Sequence, residues 1–139
     1  MATRYFDIEK ALLDGLRVVD AVTPMETPNS PISSKPEGLW LKVYNGRTGT
    51  VPITLGVNGE DEHRGFLQVD INYPQNQGSG LILEKADEIA SAFPAGQALL
   101  YNGQEVILKG TSVSGGRYAG GYYRVSVSIY YYARTARTV

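Results

Sequence analysis

The chain has 139 residues, no cysteine and a net charge of −1, from thirteen Lys and Arg against fourteen Asp and Glu. That length predicts a single domain able to bury roughly two-thirds of the surface its unfolded form exposes. The near balance of charge removes any long-range field that would draw the protein onto nucleic acid or an anionic membrane, and the absence of cysteine excludes disulfides, thiol nucleophiles and Cys-ligated zinc.

The first residues, MATRYFDIEK, carry Asp7, Glu9 and Lys10 where a signal peptide would need an unbroken apolar run. No stretch is long and apolar enough for a membrane span, so a soluble intracellular protein is expected. Residues 5–22 have helical period: Ile8, Leu12, Leu16 and Val19 share a face, with Tyr5 and Leu13 at its edges. Gly15 weakens this helix by up to about 1 kcal/mol relative to Ala, so it must be held by docking on a sheet. Residues 23–37 hold Pro24, Pro28, Pro31 and Pro36 among Thr, Asn and Ser, and read as a long exposed loop ordered by a partner.

Residues 39–44 alternate as a strand, and Asn45-Gly46 reads as a turn. Residues 50–57 are expected to form a second short strand, with Pro52 confining its start to an edge. The polar patch 58–62 is expected to link it to the clearest segment of the chain. There, from Phe66 to Tyr73, Leu67, Val69 and Ile71 alternate with Gln68, Asp70 and Asn72, as in a strand with one buried face. Pro74 closes that strand, residues 75–80 form a polar turn with Ser79 as a candidate N-cap, and a helix follows. Ile82, Ala86, Ile89, Ala90 and Phe93 make its buried stripe, and Pro94 and Gly96 stop it.

Leu99 to Tyr101 and residues 104–108 are predicted to form a hairpin through Asn102-Gly103. Residues 114–121, with two Gly-Gly pairs, read as a flexible Gly-rich loop, and residues 123–133 as the longest strand. Residues 133–139 read as a frayed terminus. The expected fold is a single α+β domain over residues 1–139, a mostly antiparallel sheet of four to six strands with two helices packed on one face. Pairing of the two long strands would gather Gln68, Asp70, Asn72, Arg124, Ser126, Ser128 and Tyr130 on the opposite, polar face, a candidate subunit interface.

Little in the chain carries chemistry. His63 is the one histidine and lies beside Glu60, Asp61 and Glu62, where it reads as a solvated residue of a charged turn. The acidic run departs from a calcium loop because Gly59 precedes the carboxylates. The Gly-rich loop lacks the Lys-Ser/Thr and the following helix of a phosphate cradle, and Ser126 and Ser128 lack a nucleophile elbow. No catalytic, metal or cofactor site is therefore assigned. Tyr122, Tyr123, Tyr130 and Tyr132 leave open a small ligand- or carbohydrate-binding module on a tyrosine-rich strand.

The strand GFLQVDI, the turn Y-P-x-x-x-G, the helix bearing Ala86-Asp87-Glu88-Ile89-Ala90 and the ending Phe93-Pro94-x-Gly96 resemble the tail-terminator-like and minor tail proteins of long-tailed bacteriophages. The N-terminal helix, the W-L-K-V-Y strand and the V-x-V-x-I-x-Y last strand fit the same layout over nearly the whole chain. The resemblance implies a non-enzymatic protein without cofactors that forms a ring, commonly a hexamer, on the head-proximal end of a tail tube. Its implied partners are copies of itself, the tail tube protein and a head–tail connector protein, with no membrane and no specific nucleic acid. Its implied place is the host bacterial cytoplasm during assembly and then the virion tail. Another head–tail joining or tail tube protein is the nearest alternative.

Overall fold

The computed structural model describes residues 4–32 and 36–137. Helix α1 (Arg4–Val19) is followed by strands β1 (Met25–Glu26), β2 (Trp40–Pro52) and β3 (Glu60–Pro74), helix α2 (Gly80–Ala92), and strands β4 (Ala98–Tyr101), β5 (Gln104–Val113), β6 (Arg117–Ala119) and β7 (Tyr122–Ala136). One seven-stranded sheet runs β1-β2-β3-β7-β5-β4, with β6 also paired to β7. The sheet is thus larger than the four to six strands expected. It is also mixed, because β1 lies parallel to β2. The α+β class stands.

The period-two pattern of β3 and β7 works as expected: Leu67, Val69 and Ile71 pair across from Ile129, Val127 and Val125, all buried on one face. Both helices close that face. Ile8, Leu12 and Leu16 of α1 and Ile82, Ala86, Ile89 and the adjoining Phe93 join these strands in one core cluster. Full burial of each Leu, Ile or Val stabilises the fold by about 1.5–3 kcal/mol. Gly15 allows α1 to approach closely, since a Cβ there would lie 3.3 Å from both Leu99 Cδ1 and Phe93 Cε1.

Several segments differ from expectation, each for a local reason. Asn45-Gly46 does not turn: β2 runs through it to Pro52, paired with β3 except at a register shift between Arg47 and Gly49. Asn45 is drawn into the core, where its side chain accepts the Tyr131 hydroxyl at 2.7 Å and donates to Glu9 at 3.2 Å. Gly46 lies under the Phe66 ring, which leaves no room for a Cβ. The chain reverses instead at residues 53–59, so Glu60, Asp61 and Glu62 belong to β3 and not to a linker. Pro52 still lies at an edge, as β1 covers only Leu41 and Lys42 of the outer side of β2.

Within the Pro-rich segment, Met25 and Glu26 add to the sheet, and Met25 reaches the core. Residues 33–35 lie outside the described residues. The Gly-rich stretch is not a free loop, because Arg117, Tyr118 and Ala119 continue the line of β5 along β7 and turn back through Gly120-Gly121. Both of those glycines have positive φ, as does each residue of Asn102-Gly103, the pattern of a tight hairpin turn. Ser79 occupies the N-cap of α2 but makes no side-chain capping bond. The terminus is paired through Ala136 rather than frayed; residues 138–139 lie outside the described residues.

Candidate subunit interface

The antiparallel register of β3 and β7 sets Gln68 opposite Ser128, Asp70 opposite Ser126 and Asn72 opposite Arg124, all on the face turned away from the helices. Six of the seven expected interface residues therefore form three adjacent rows. Tyr130 completes the set one row further, opposite Phe66.

Asp70 is the centre of this face. Its Oδ1 accepts from the Ser126 hydroxyl at 2.5 Å and from the Gln68 amide at 2.9 Å. The Arg117 and Arg124 guanidiniums lie 3.8 and 3.9 Å from its carboxylate. Arg117 also donates to the Ser126 hydroxyl at 2.8 Å, and Arg124 to the Asn72 side-chain Oδ1 at 2.7 Å. Such charge-assisted bonds answer a carboxylate that is only 7 % exposed, as a buried charge requires. Asp70, Asn72 and Ser126 are buried under their neighbours, whereas Gln68, Arg124 and Ser128 are half-buried and Tyr130 is 42 % exposed. The outer layer of the face is thus Gln68, Arg124, Ser128 and Tyr130, of which Gln68 is held by Asp70 and Arg124 by Asn72.

Two features of this face escaped the sequence reading. Arg117 was hidden in the Gly-rich stretch, where only its place in a strand continuing β5 brings it over Asp70. An aromatic row, Tyr44, Phe66 and Tyr130, crosses three strands with ring centroids 6.3 and 6.2 Å apart. Phe66 shares the parity of Gln68 and Asp70, so alternation alone could have placed it there. The tyrosine-rich strand does not make a compact aromatic site: Tyr123 faces the helix side, while Tyr122 packs edge-on to Trp40 eight residues from Tyr130.

His63 also moves. It is a buried residue of β3, with its ring nitrogens 2.9 Å from the Thr50 hydroxyl and 2.8 Å from that of Thr135, and Tyr5 edge-on at 5.2 Å. Beside it lies a cleft of about 270 Å³ bordered by Arg47, Arg64 and Tyr131. Both guanidiniums already pair with carboxylates, Arg47 with Glu9 at 3.5 Å and Arg64 with Glu62 at 2.6 Å. The Arg64 hydrogen bond, against the opposing effect of burial and with help from Arg134, holds the Glu62 carboxyl below its usual range. Among the described residues no group of three or more His, Asp or Glu is placed to hold a metal ion, and no helix is long and apolar enough to cross a membrane.

A family model described as phage tail terminator protein matches residues 7–131, from within α1 through most of β7. The chain belongs to the phage tail terminator family. That membership makes it a structural component of a phage tail, and the family is non-enzymatic. Curated proteins gave no match. One solved structure shares the fold with a TM-score of 0.71 and 21% sequence identity, covering 93% of this chain and 92% of that one. The family match takes in Gln68 to Asn72, Arg117 and Arg124 to Tyr130, so the face centred on Asp70 lies within the matched segment.

Proposed function

We propose that this terminator acts by capping: copies assemble into a ring, a hexamer by the family resemblance, on the head-proximal end of the tail tube, halting tube growth and offering a surface to the head. Family membership over residues 7–131 is the observation that carries this reading. The partners are other copies of the chain, the tail tube protein and a head–tail connector protein, met in the host bacterial cytoplasm and retained in the virion tail.

A ring needs two different patches per subunit, each side giving about 800 Å². The outer layer Gln68, Arg124, Ser128 and Tyr130 supplies one candidate patch. Gln68 and Arg124 are fixed in advance by Asp70 and Asn72, which lowers the ordering cost of docking. Light scattering and electron microscopy of the purified protein, with and without tail tubes, test the proposal. Rings and capped tube ends are expected. A strict monomer that leaves tube ends bare would overturn it, and unlimited self-polymerisation would point to a tube protein instead.

A further inference from the structure

The reversal between β2 and β3 carries an unusual pair of exposed side chains. Leu55 is 93% and Val57 77% exposed, and Ile53 and Val51 beside them are also open to solvent. The loop that presents them is firmly held. The Arg137 guanidinium donates to the carbonyls of Thr54, Gly56 and Glu60 and pairs with the Asp61 carboxylate at 2.5 Å. The Arg137 backbone N–H also donates to the Gly59 carbonyl at 2.9 Å. A solvated loop needs no such clasp. An apolar tip on a pre-ordered loop is the form of an interface anchor.

A recess suited to it lies on the same chain. The turn at residues 27–30 stands off the outer edge of β2 and leaves a groove of about 400 Å³ with a mainly apolar surface, lined by Pro28, Pro31, Val43 and Tyr44 and also by Glu26, in register beside Lys42. Lys42 borders the groove, and Glu60 stands at the base of the loop; both side chains are exposed and make no ion pair among the described residues. Eight residue steps of extended β2 carry the chain from Tyr44 to Pro52, about 27 Å at the rise of a strand, so one copy cannot fill its own groove. Tyr44 also begins the aromatic row of the candidate interface, which makes groove and face one continuous surface.

We infer that the Leu55/Val57 tip of one copy inserts into the Pro28/Pro31/Tyr44 groove of the next, with Glu60 approaching Lys42 across the contact. The tip and the groove are different patches, so the contact is head-to-tail and closes into a ring when the rotation allows. This inference rests on the ring reading and names the contact that would build it.

Because the chain has no cysteine, introduced thiols report on a single contact. Leu55→Cys protein is mixed with Pro31→Cys protein at tail-tube ends under mild oxidation. A mixed disulfide is expected, with little linking of either variant to itself, and the double variant should give a covalent ladder ending at the ring. Leu55→Ser should melt like the parent protein yet weaken self-association at least about tenfold, equivalent to about 1.4 kcal/mol. Rings that form without the mixed disulfide, or Leu55→Cys copies that link chiefly to each other, overturn the inference while leaving the ring intact. Normal rings of Leu55→Ser that fail to stay on tubes would assign the tip to the tube and also overturn it. If the unmodified protein forms no ring on tubes at all, the capping reading itself fails, and light scattering shows this before any linking is attempted.

Discussion

The Tyr131 hydroxyl and the Asn45 side-chain carbonyl meet 2.7 Å apart within the core, one from the last strand and the other from the second. Burial is the main effect that pushes the Tyr131 phenol above its usual range. Tyr131→Phe keeps the ring but leaves the Asn45 carbonyl without its donor, which should cost about 1–3 kcal/mol in urea unfolding. In the intact protein, ultraviolet titration should show one tyrosine ionising later than the exposed ones. A neutral Tyr131→Phe would mean that Asn45 finds another donor.

The same residue explains what could be read from sequence and what could not. Asn102-Gly103 and Asn45-Gly46 are the same dipeptide, yet only the first is a turn. Asn102 and Gly103 both take positive φ between the four-residue β4 and β5. Asn45 instead keeps extended pairing, in phase with the buried Leu41 and Val43, although residues 47–52 beyond it are all exposed. The polar residue at a core position has its own partners, Tyr131 and Glu9, both far away in sequence. Long-range satisfaction overrode a local signal, and the same holds for His63, which is buried by Thr50 and Thr135 rather than solvated by its acidic neighbours. The amphipathic stripes of β3, β7 and α2 needed no such partners and were legible. The seven interface residues were brought to one face by alternation, but their layering was set by Arg117, whose strand depends on pairing with β7.

That layering separates folding from assembly. Asp70→Ala removes the acceptor shared by Ser126 and Gln68 and the counter-charge of Arg117 and Arg124, so it should destabilise the monomer by about 1–3 kcal/mol. Ser128→Ala and Tyr130→Ser touch only the outer layer and should cost the monomer less, under about 0.5 kcal/mol for Ser128→Ala and about 0.5–1.5 kcal/mol for Tyr130→Ser, which loses its ring contact with Phe66. Denaturant unfolding and ring formation, measured on the same samples, distinguish the two classes. If Tyr130→Ser unfolds the protein as readily as Asp70→Ala, the face has a single layer.

Asp20 sets an acid limit on stability. It follows α1, where its Oδ1 accepts the Val22 and Thr23 amides and its Oδ2 the Lys85 ammonium at 2.6 Å. Burial would raise this carboxyl, but the Lys85 bond and the Thr23 and Val22 bonds outweigh it and hold the group well below its ordinary value. The unfolded chain therefore binds the proton more readily than the folded one. The stabilisation is complete above the unfolded value of about 4 and is lost as pH falls through the folded one. Lys85, despite burial, is raised by Asp20 and Glu88, so its share is complete below about pH 10 and is lost on further alkalinisation. Asp20→Asn should cost about 1.5–3 kcal/mol at neutral pH and flatten the acid limb of stability against pH. An unchanged acid limb would place the titrating group elsewhere.

Gly65 and Gly46 are neighbours across the β2–β3 ladder with unequal room. A Cβ on Gly65 would stand 2.6 Å from the Gly46 carbonyl oxygen, which is backbone and cannot move aside without breaking the ladder. The three atoms nearest a Cβ on Gly46 all belong to the half-buried Phe66 ring, a side chain that can shift where backbone cannot. Gly65→Ala should therefore lower the melting temperature more than Gly46→Ala, the first by about 1–3 kcal/mol of overpacking. Shrinking Phe66 to Leu should restore much of what Gly46→Ala loses and nothing of what Gly65→Ala loses. Equal losses would mean that Phe66 is as fixed as the backbone.

Arg137 is one side chain that orders a whole turn, and its removal should be felt there and almost nowhere else. Its guanidinium spans three carbonyls and one carboxylate, so Arg137→Ala leaves the loop at residues 53–59 with the Gly59 carbonyl bond as the one remaining tie to the 137 position. Amide exchange across residues 54–60 should then speed by at least about tenfold, while Leu67, Val69 and Val127 in the central strands keep their protection. Arg137→Lys should rescue little, because a single ammonium cannot reach several acceptors in the planar fork geometry that the loop has adopted. If lysine restored full protection, charge on Asp61 and not the fork of bonds would be what holds the tip.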